Sequence, residues 1–158
     1  MRNSLVVSKQ QTFDDSIGQI GRLGIVRAGF VQINSRLLDV EGNIDKALRL
    51  IGNKKTDLIV IPELFNTGYN FRPWREVEKV AEPVPTGATT AALKDLLKRD
   101  GATVVAGMAE RKGRSLYNSA VILKDGRYLG TYRKVHLFYN EKKFFKGEMS
   151  SRYLGDWA

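Results

Sequence analysis

The stretch DLIVIPELFNTGYNF, residues 57–71, decides the fold prediction. It begins with a short Val/Ile run that Pro62 closes, which is typical of a buried strand. Glu63 follows directly, so the sequence predicts a carboxylate at the carboxyl end of a strand. In sheets with parallel strands, this end is where ligands bind and reacting side chains gather.

The segments on either side predict the elements that pack around this strand. LGIVRAGFVQIN, beginning at Leu23, is a largely apolar run that predicts a strand buried on both faces. EGNIDKALRLIGNKK has apolar residues at helical spacing and predicts a helix that ends near Gly52–Asn53. These apolar residues are Ile44, Ala47, Leu48 and Ile51.

The downstream sequence completes an alternating pattern. TTAALKDLLKRDG predicts a second helix that stops at Gly101, with its apolar face formed by Ala92, Leu93, Leu96 and Leu97. ATVVAGMAE predicts a third strand, and YNSAVILKDGRYLGTYRK predicts two strands joined by a turn at Asp125–Gly126. The order β-α-β-α-β-β indicates an α/β layered domain.

Composition narrows the class of protein. No run approaches the ~20 apolar residues of a membrane helix, and the N-terminus lacks the apolar core of a secretory signal, which predicts a cytoplasmic protein. Residues 1–22 are polar and aperiodic, and they predict a tail before a domain that spans 23–158. The chain contains no cysteine, so disulfides and thiolate metal sites within it are excluded.

Charge is distributed unevenly along the chain, whose net charge is +9. Residues 1–110 carry 15 Lys/Arg against 13 Asp/Glu, whereas residues 111–158 carry 11 against 4. A basic excess of this kind is compatible with nucleic-acid binding, with acidic substrates, or with a solvated face that has no partner.

Three segments carry the chemistry: IPELFNTGYNF at 61–71, YRKVHLF at 132–138 and NEKKFFKG at 140–147. Taken singly, each segment has a simpler explanation. A carboxylate after a strand is commonly a solvated surface residue, and adjacent Arg and Lys commonly form a basic surface with their aliphatic carbons buried. Together and in this order they resemble the nitrilase superfamily of carbon-nitrogen hydrolases, whose members show P-E-x-F-x-x-G-Y and then Y-R-K-x-H-L-F. The resemblance covers roughly residues 23–157. It implies a four-layer α-β-β-α sandwich of the nitrilase type, of which this chain holds a part.

The resemblance implies two members of a Glu-Lys-Cys triad. Glu63 corresponds to the general base that takes the thiol proton and returns it to the departing nitrogen, and Lys134 to the cation that faces the developing oxyanion. Glu141 corresponds to a further glutamate with a positioning or second-base role, although a surface carboxylate paired with Lys142 and Lys143 would explain it as well.

Other residues near these motifs are candidates for the pocket. Tyr69 and Phe71 are predicted to line a substrate site, or else only to pack the loop. Asn118, with Tyr117, is predicted to hydrogen-bond the catalytic groups or the substrate, or else to start a strand. His136 is assigned a structural role. The mechanism implies no metal and no organic cofactor.

The resemblance stops before the family's Gly-Val-x-x-Cys segment, because this sequence ends at LGDWA. We therefore expect the N-terminal part of a hydrolase of small amides or nitriles that is inactive alone and depends on a complementary fragment or on self-association, such as a homodimer. One alternative is a pseudoenzyme or split subunit that associates with a homologue. Another is a basic nucleic-acid-binding module built on YRKVHLFYNEKKFFKG.

Overall fold

A mixed β-sheet organises the chain. The computed structural model describes residues 4–10, 26–53 and 55–148. Six strands lie side by side in sequence order: β1 (Ser4–Gln10), β2 (Val26–Gln32), β3 (Leu58–Ile61), β4 (Thr103–Lys112), β5 (Ser115–Lys124) and β6 (Arg127–Arg133). The helices are α1 (Val40–Ile51), α2 (Trp74–Val80) and α3 (Ala88–Asp100), and a 3₁₀ turn covers Glu141–Lys143.

Strand directions follow from the connections. β2, β3 and β4 are mutually parallel, because each link between them carries a helical crossover. β4, β5 and β6 are antiparallel and joined by short turns, one of them at Asp125–Gly126, where both residues have positive φ. The α/β prediction is confirmed, as is the predicted element order from β2 to β6, to which the structure adds α2.

The N-terminal segment departs from the predicted polar tail. Ser4–Gln10 forms β1, which pairs antiparallel with β2 along its whole length, from Ser4 opposite Gln32 to Gln10 opposite Val26. The edge of β2 would otherwise present unpaired backbone groups, and a neighbouring extended segment satisfies them whatever its side-chain pattern. The rest of the predicted tail lies outside the described residues.

One face of the sheet is covered by α1 and α3. Asp39 caps α1 by accepting a hydrogen bond from the backbone of Gly42 at 3.1 Å, and α3 ends at Gly101 in the left-handed conformation. The core here joins α1 (Ile44, Ala47, Ile51), α3 (Leu93, Leu96, Leu97) and the strands (Val31, Ile59, Ile61, Val104, Ala106, Met108, Val121, Leu123). No helix in the described ranges is long and apolar enough to cross a bilayer.

The opposite face of the sheet is largely uncovered. The strand registers align Phe30, Val60, Val105 and Ile122 in one row across four strands, and we call this row the open face. Phe30 is 48% exposed and Val60 41% exposed. The prediction that the first apolar run is buried on both faces is therefore wrong for the described part of β2, because only Gly29 and Val31 in it are buried.

A smaller core cluster covers one end of this second face. It contains Leu64, Phe71, Val77, Ala81, Ala109, Leu116 and Phe145. Val77 anchors α2, and Phe145 brings the segment after β6 back onto β5. This cluster forms the base on which the loops after β3 and β6 meet.

Candidate active site

The loop after β3 places Glu63 directly over β4. Pro62 ends the strand, and Leu64 adopts a left-handed backbone with φ 48°, which turns the chain back across the sheet. The backbone N–H of Phe65 donates to the carbonyl oxygen of Gly107 at 3.0 Å. A Cβ at Gly107 would collide with the Cα of Glu63, so only glycine permits this close approach.

Lys134 reaches Glu63 from the end of β6. Its backbone N–H donates to the carbonyl oxygen of Asn118 at 2.8 Å, which extends the pairing of β6 with β5 by one residue. Its Nζ lies 2.8 Å from Oε1 of Glu63 and 2.9 Å from Oε2 of Glu141. The structure thus brings together the three predicted catalytic residues. His136, two positions further on, is exposed.

Asn118 and the 3₁₀ turn hold the two carboxylates in place. The Nδ2 of Asn118 donates to Oε1 of Glu63 and, at 2.7 Å, to Oε1 of Glu141. Oε2 of Glu141 accepts a 2.7 Å hydrogen bond from the backbone N–H of Phe138. Within the described part of the chain, Glu141 pairs with Lys134 rather than with its neighbours on the 3₁₀ turn. Asn118 therefore contacts the carboxylates of both Glu63 and Glu141 directly.

Tyr69 and Phe71 occupy different parts of the site. The hydroxyl of Tyr69 donates to Oε2 of Glu63, while its side chain remains half exposed. Phe71 is buried and packs edge-on against the rings of Phe144 and Phe145. Tyr69 is thus a partner of the carboxylate, and Phe71 belongs to the apolar wall beneath it.

The contacts push the pKa values of Glu63 and Lys134 apart. Partial burial by itself raises the pKa of Glu63, but hydrogen bonds from Lys134, Tyr69 and Asn118 outweigh it and hold that pKa below its ordinary value. Burial likewise lowers the pKa of Lys134, but hydrogen bonds to Glu63 and Glu141 raise it by more. Burial and the adjacent Glu63 carboxylate raise the pKa of Tyr69. At neutral pH, Glu63 is ionised, Lys134 is protonated and Tyr69 is a neutral donor.

These side chains line a cavity of about 410 Å³. Its lining consists of Glu63, Leu64, Tyr69, Asn70, Phe71, Lys134, Phe138, Asn140, Glu141, Phe144 and Phe145. Charged groups at one end face aromatic rings at the other, which suits a small ligand with a polar reacting group and an apolar remainder. Among the described residues no group of three or more His, Asp and Glu is arranged to hold a metal ion.

Comparison with known proteins identifies the family of the chain. A family model described as carbon-nitrogen hydrolase matches residues 27–156. The chain belongs to this family. A nitrilase of Pyrococcus abyssi is 43% identical over 132 residues, which cover 81% of this chain and 50% of that protein. A 2-oxoglutaramate amidase of Bacillus subtilis is 37% identical over 100 residues, covering 61% of this chain and 37% of that protein. This member of the carbon-nitrogen hydrolase family thus spans about half the length of its curated relatives, or less.

Solved structures agree on the fold of this carbon-nitrogen hydrolase chain. The crystal structure of an N-terminal amidase matches with a TM-score of 0.71 at 21% identity, over 77% of this chain and 30% of that one. An amidase of the nitrilase superfamily from Nesterenkonia matches with a TM-score of 0.63 at 24% identity, over 79% of this chain and 49% of that one. The prediction of an α/β fold of the nitrilase type is confirmed.

A second ionic cluster lies beside the first, on the other face of the sheet. Arg133 makes two hydrogen bonds to the carboxylate of Glu110, at 2.6 and 2.7 Å, and a third to Glu148 at 2.7 Å. Ser119 donates to Glu110 at 2.6 Å, and the ring of Tyr117 lies 4.7 Å from the guanidinium carbon. Tyr117 thus contacts Arg133, whereas Asn118 contacts Glu63 and Glu141.

Several residues that build the candidate site were not predicted from the sequence. Gly107 gave no signal, because a glycine within an apolar strand has no pattern of its own. Asn66 is fully buried and fastens the loop, since its amide oxygen accepts from the backbone of Ala109 and its amide nitrogen donates to Thr89 at 3.1 Å. Phe144 and Phe145 stood within the quoted segment at 140–147, but nothing in that segment showed that their rings form the cavity wall.

Proposed function

We propose that Glu63, Lys134 and Glu141 form the acid-base and oxyanion part of a Glu-Lys-Cys site that hydrolyses a carbon-nitrogen bond in a small non-peptide amide or nitrile. The observation that carries this proposal is the position of the Lys134 ammonium between two carboxylates at the mouth of a cavity, 2.8 Å from one and 2.9 Å from the other. The family membership of the chain and the nitrilase and amidase relatives support the reaction class.

The protonation states favour the proposed roles. An ionised Glu63 is ready to accept the proton of a thiol, which creates the thiolate that attacks the carbon of the substrate. The new carbon-sulfur bond leaves negative charge on the oxygen of an amide or on the nitrogen of a nitrile, and the protonated Lys134 stabilises it. When the carbon-nitrogen bond breaks, Glu63 returns its proton to the nitrogen, and the same carboxylate then activates water to release the acid and restore the thiol.

Asn118, Tyr69 and Glu141 support these steps in the proposal. Asn118 donates to both carboxylates, and the hydroxyl of Tyr69 donates to Glu63. A carboxylate with several donors is held in one rotamer, so its free lone pair is aimed before the substrate arrives. Glu141 accepts from Lys134 and keeps the ammonium between two oxygen atoms, which is a positioning role.

The nucleophile must come from outside residues 1–158, which contain no cysteine. We therefore propose that the isolated chain does not turn over amides or nitriles and that a cysteine-bearing polypeptide completes the site. The open face supports this, since Phe30 and Val60 expose apolar surface on the sheet that carries the site. Covering that surface, with a complementary fragment or a second copy, is the proposed role of the partner.

A chimera tests the proposal. Residues 26–156 would be fused to the part of the Pyrococcus abyssi nitrilase that follows the region matched to them, and hydrolysis of short amides and nitriles would be followed by ammonia release. We expect turnover by the chimera and none by the isolated chain. Glu63→Gln in the chimera should lower kcat by about 10²–10⁴-fold, the usual contribution of general acid-base catalysis.

Two controls make the result decisive. A chimera whose cysteine is replaced by Ser should lose activity while keeping its fold by circular dichroism. Glu41→Gln, which changes an exposed carboxylate on α1 outside the cavity, should leave kcat unchanged. Full activity of the Glu63→Gln chimera, or turnover by the isolated chain, would contradict the proposed roles.

A further inference from the structure

A second cavity lies next to the active site and differs from it in charge. Its volume is about 280 Å³, and it is enclosed by the β4–β5 turn, the start of α2 and the 3₁₀ turn. Five cations line it: Arg111, Arg114, Lys142, Lys143 and Lys146. Glu78 is the one acidic residue in this lining, and Trp74 forms part of the wall. We call this cavity the basic groove.

The five cations of the basic groove come from two separate parts of the chain, 111–114 and 142–146. All are exposed, and none forms an ion pair with another described residue. Bringing like charges together around a concavity raises the positive potential inside it, and an anion entering that space is attracted by all of them at once.

The chemistry of the lining selects among anions. Arginine binds phosphate through two parallel hydrogen bonds, and lysine adds mobile positive charge, so mixed clusters suit ligands with several anionic oxygens. Trp74 is 50% exposed at the edge of the groove, which leaves ring surface available for stacking on a planar group. A solvated basic face would explain the charge, but it would not explain the concave shape or the exposed indole.

The basic groove is distinct from the active-site cavity. Phe144 and Phe145 line both and form the partition between them. The cation of the active site, Lys134, is held by Glu63 and Glu141, whereas the groove has a single carboxylate in its lining. A ligand for the groove therefore needs more negative charge than the small amides or nitriles proposed for the neighbouring site.

We propose that the basic groove is a binding site for a small phosphate-bearing ligand, held by Arg111, Arg114 and the lysines of the 3₁₀ turn. The volume accommodates two or three neighbouring phosphate groups better than a long polymer. The ligand comes either from inorganic polyphosphate or from a nucleoside phosphate, and Trp74 distinguishes these two sources. This site stands independently of the proposed hydrolysis.

Calorimetric titration of the chain with tripolyphosphate and with ADP at near-physiological salt tests the site. Saturable binding of at least one is expected, and the double variants Arg111→Gln/Arg114→Gln and Lys142→Gln/Lys143→Gln should each weaken it by about tenfold or more, because each charge-assisted hydrogen bond contributes substantially. The matched control is Lys124→Gln/Arg127→Gln, which removes the same charge at the opposite end of β5 and should change affinity by less than about twofold. All six positions are exposed, so each variant is expected to fold, and circular dichroism verifies this.

Fluorescence identifies the source of the phosphate. In a Trp157→Phe background, Trp74 is the remaining tryptophan of the two in the chain. Quenching by ADP, together with a loss of about tenfold in ADP affinity but not in tripolyphosphate affinity on Trp74→Leu, would identify a nucleoside phosphate. Equal binding of both, with no effect of Trp74→Leu, would identify inorganic polyphosphate.

Three outcomes would overturn the site. The first is no saturable binding of either probe. The second is that the groove variants and the control variant weaken binding equally, which would show that binding depends only on the net charge of the chain. The third is binding of a long single-stranded oligonucleotide that neither ADP nor tripolyphosphate displaces, which would assign the groove to a nucleic-acid surface instead.

Discussion

Arg133 and Lys134 are neighbours in the sequence and each pairs with two carboxylates, yet the Arg133–Glu110 and Lys134–Glu63 pairs differ in burial. The Arg133 and Glu110 side chains are 10% and 2% exposed. The Lys134 and Glu63 side chains are 31% and 37% exposed and open onto a cavity. Successive residues of a strand point to opposite faces of a sheet. Arg133 therefore lies on the face covered by the helices, and Lys134 lies on the face that carries the candidate site.

The difference in burial separates an ion pair expected to stabilise the fold from one proposed to take part in chemistry. A buried pair with its hydrogen bonds satisfied is costly to break, because the remaining charge has no water to solvate it. A half-exposed pair is worth little to folding, because water already screens it. Exposure is also what the proposed reaction needs, because a substrate has to reach Glu63 and Lys134. The following predictions test this division, from the largest expected effect to the smallest.

Breaking the buried cluster should have the largest effect on folding. We expect Arg133→Met to lower the free energy of unfolding by about 3–5 kcal/mol, because it leaves Glu110 charged and buried without its cation. Urea unfolding at one fixed protein concentration measures the change. Arg27→Met removes a cation from a pair that is 48% and 45% exposed, and should cost about 1 kcal/mol or less. Equal losses in both variants would contradict the division between buried and exposed pairs.

Filling the space under Glu63 should have a smaller but still clear effect. Gly107→Ala is expected to cost about 1–3 kcal/mol, since a methyl group there forces the loop after β3 away from β4. In the chimera it should also lower kcat, because Glu63 moves with the loop. Gly130→Ala is the matched control on β6, where a Cβ has open space around it. If the two glycine variants behaved alike, close approach at Gly107 would not explain the position of Glu63.

Removing the exposed cation should have little effect on stability. Lys134→Met is expected to cost about 1 kcal/mol or less, because its partner Glu63 remains accessible to water. It should nevertheless raise the pKa of Glu63, which loses its cation and keeps Glu141 as a neighbouring carboxylate. Carboxyl carbon NMR titration of the variant and of Lys98→Met, whose pair with Asp95 lies on α3, measures this shift. An unchanged Glu63 titration in Lys134→Met would mean that the ammonium does not hold the carboxylate ionised.

The smallest expected effect is on the pH dependence of stability. The pKa of Glu63 in the folded chain lies below its ordinary value of 4.5, so its contribution is present above that pH and is lost as the pH falls through the folded pKa. The pKa of Lys134 is raised, so its contribution is present below its ordinary value of 10.5 and is lost at more alkaline pH. Glu63→Gln should therefore flatten the acid limb of the stability curve. A steeper acid limb in this variant would reverse the assigned direction of the shift.

Much of the fold followed from local patterns. α1, β3 and α3 were predictable because each shows one clear period and a stop signal, such as Pro62 or Gly101. β1 was not predictable, since its pairing depends on the free edge of β2 rather than on its own composition. The exposure of Phe30 was also hidden, because an apolar run looks the same whether its second face is covered by helices or lies open.

The features of the candidate site are also of two kinds, those present in the sequence and those that depend on the tertiary structure. The sequence by itself determined the chemistry available: a carboxylate after a strand at Glu63, the adjacent cations Arg133 and Lys134, a carboxylate at Glu141 and no thiol. Only the tertiary structure decided which cation serves which cluster and how closely Glu63 lies over Gly107. The physical reason is that charge and periodicity belong to the residues themselves, whereas burial and distance arise only where segments far apart in the chain meet.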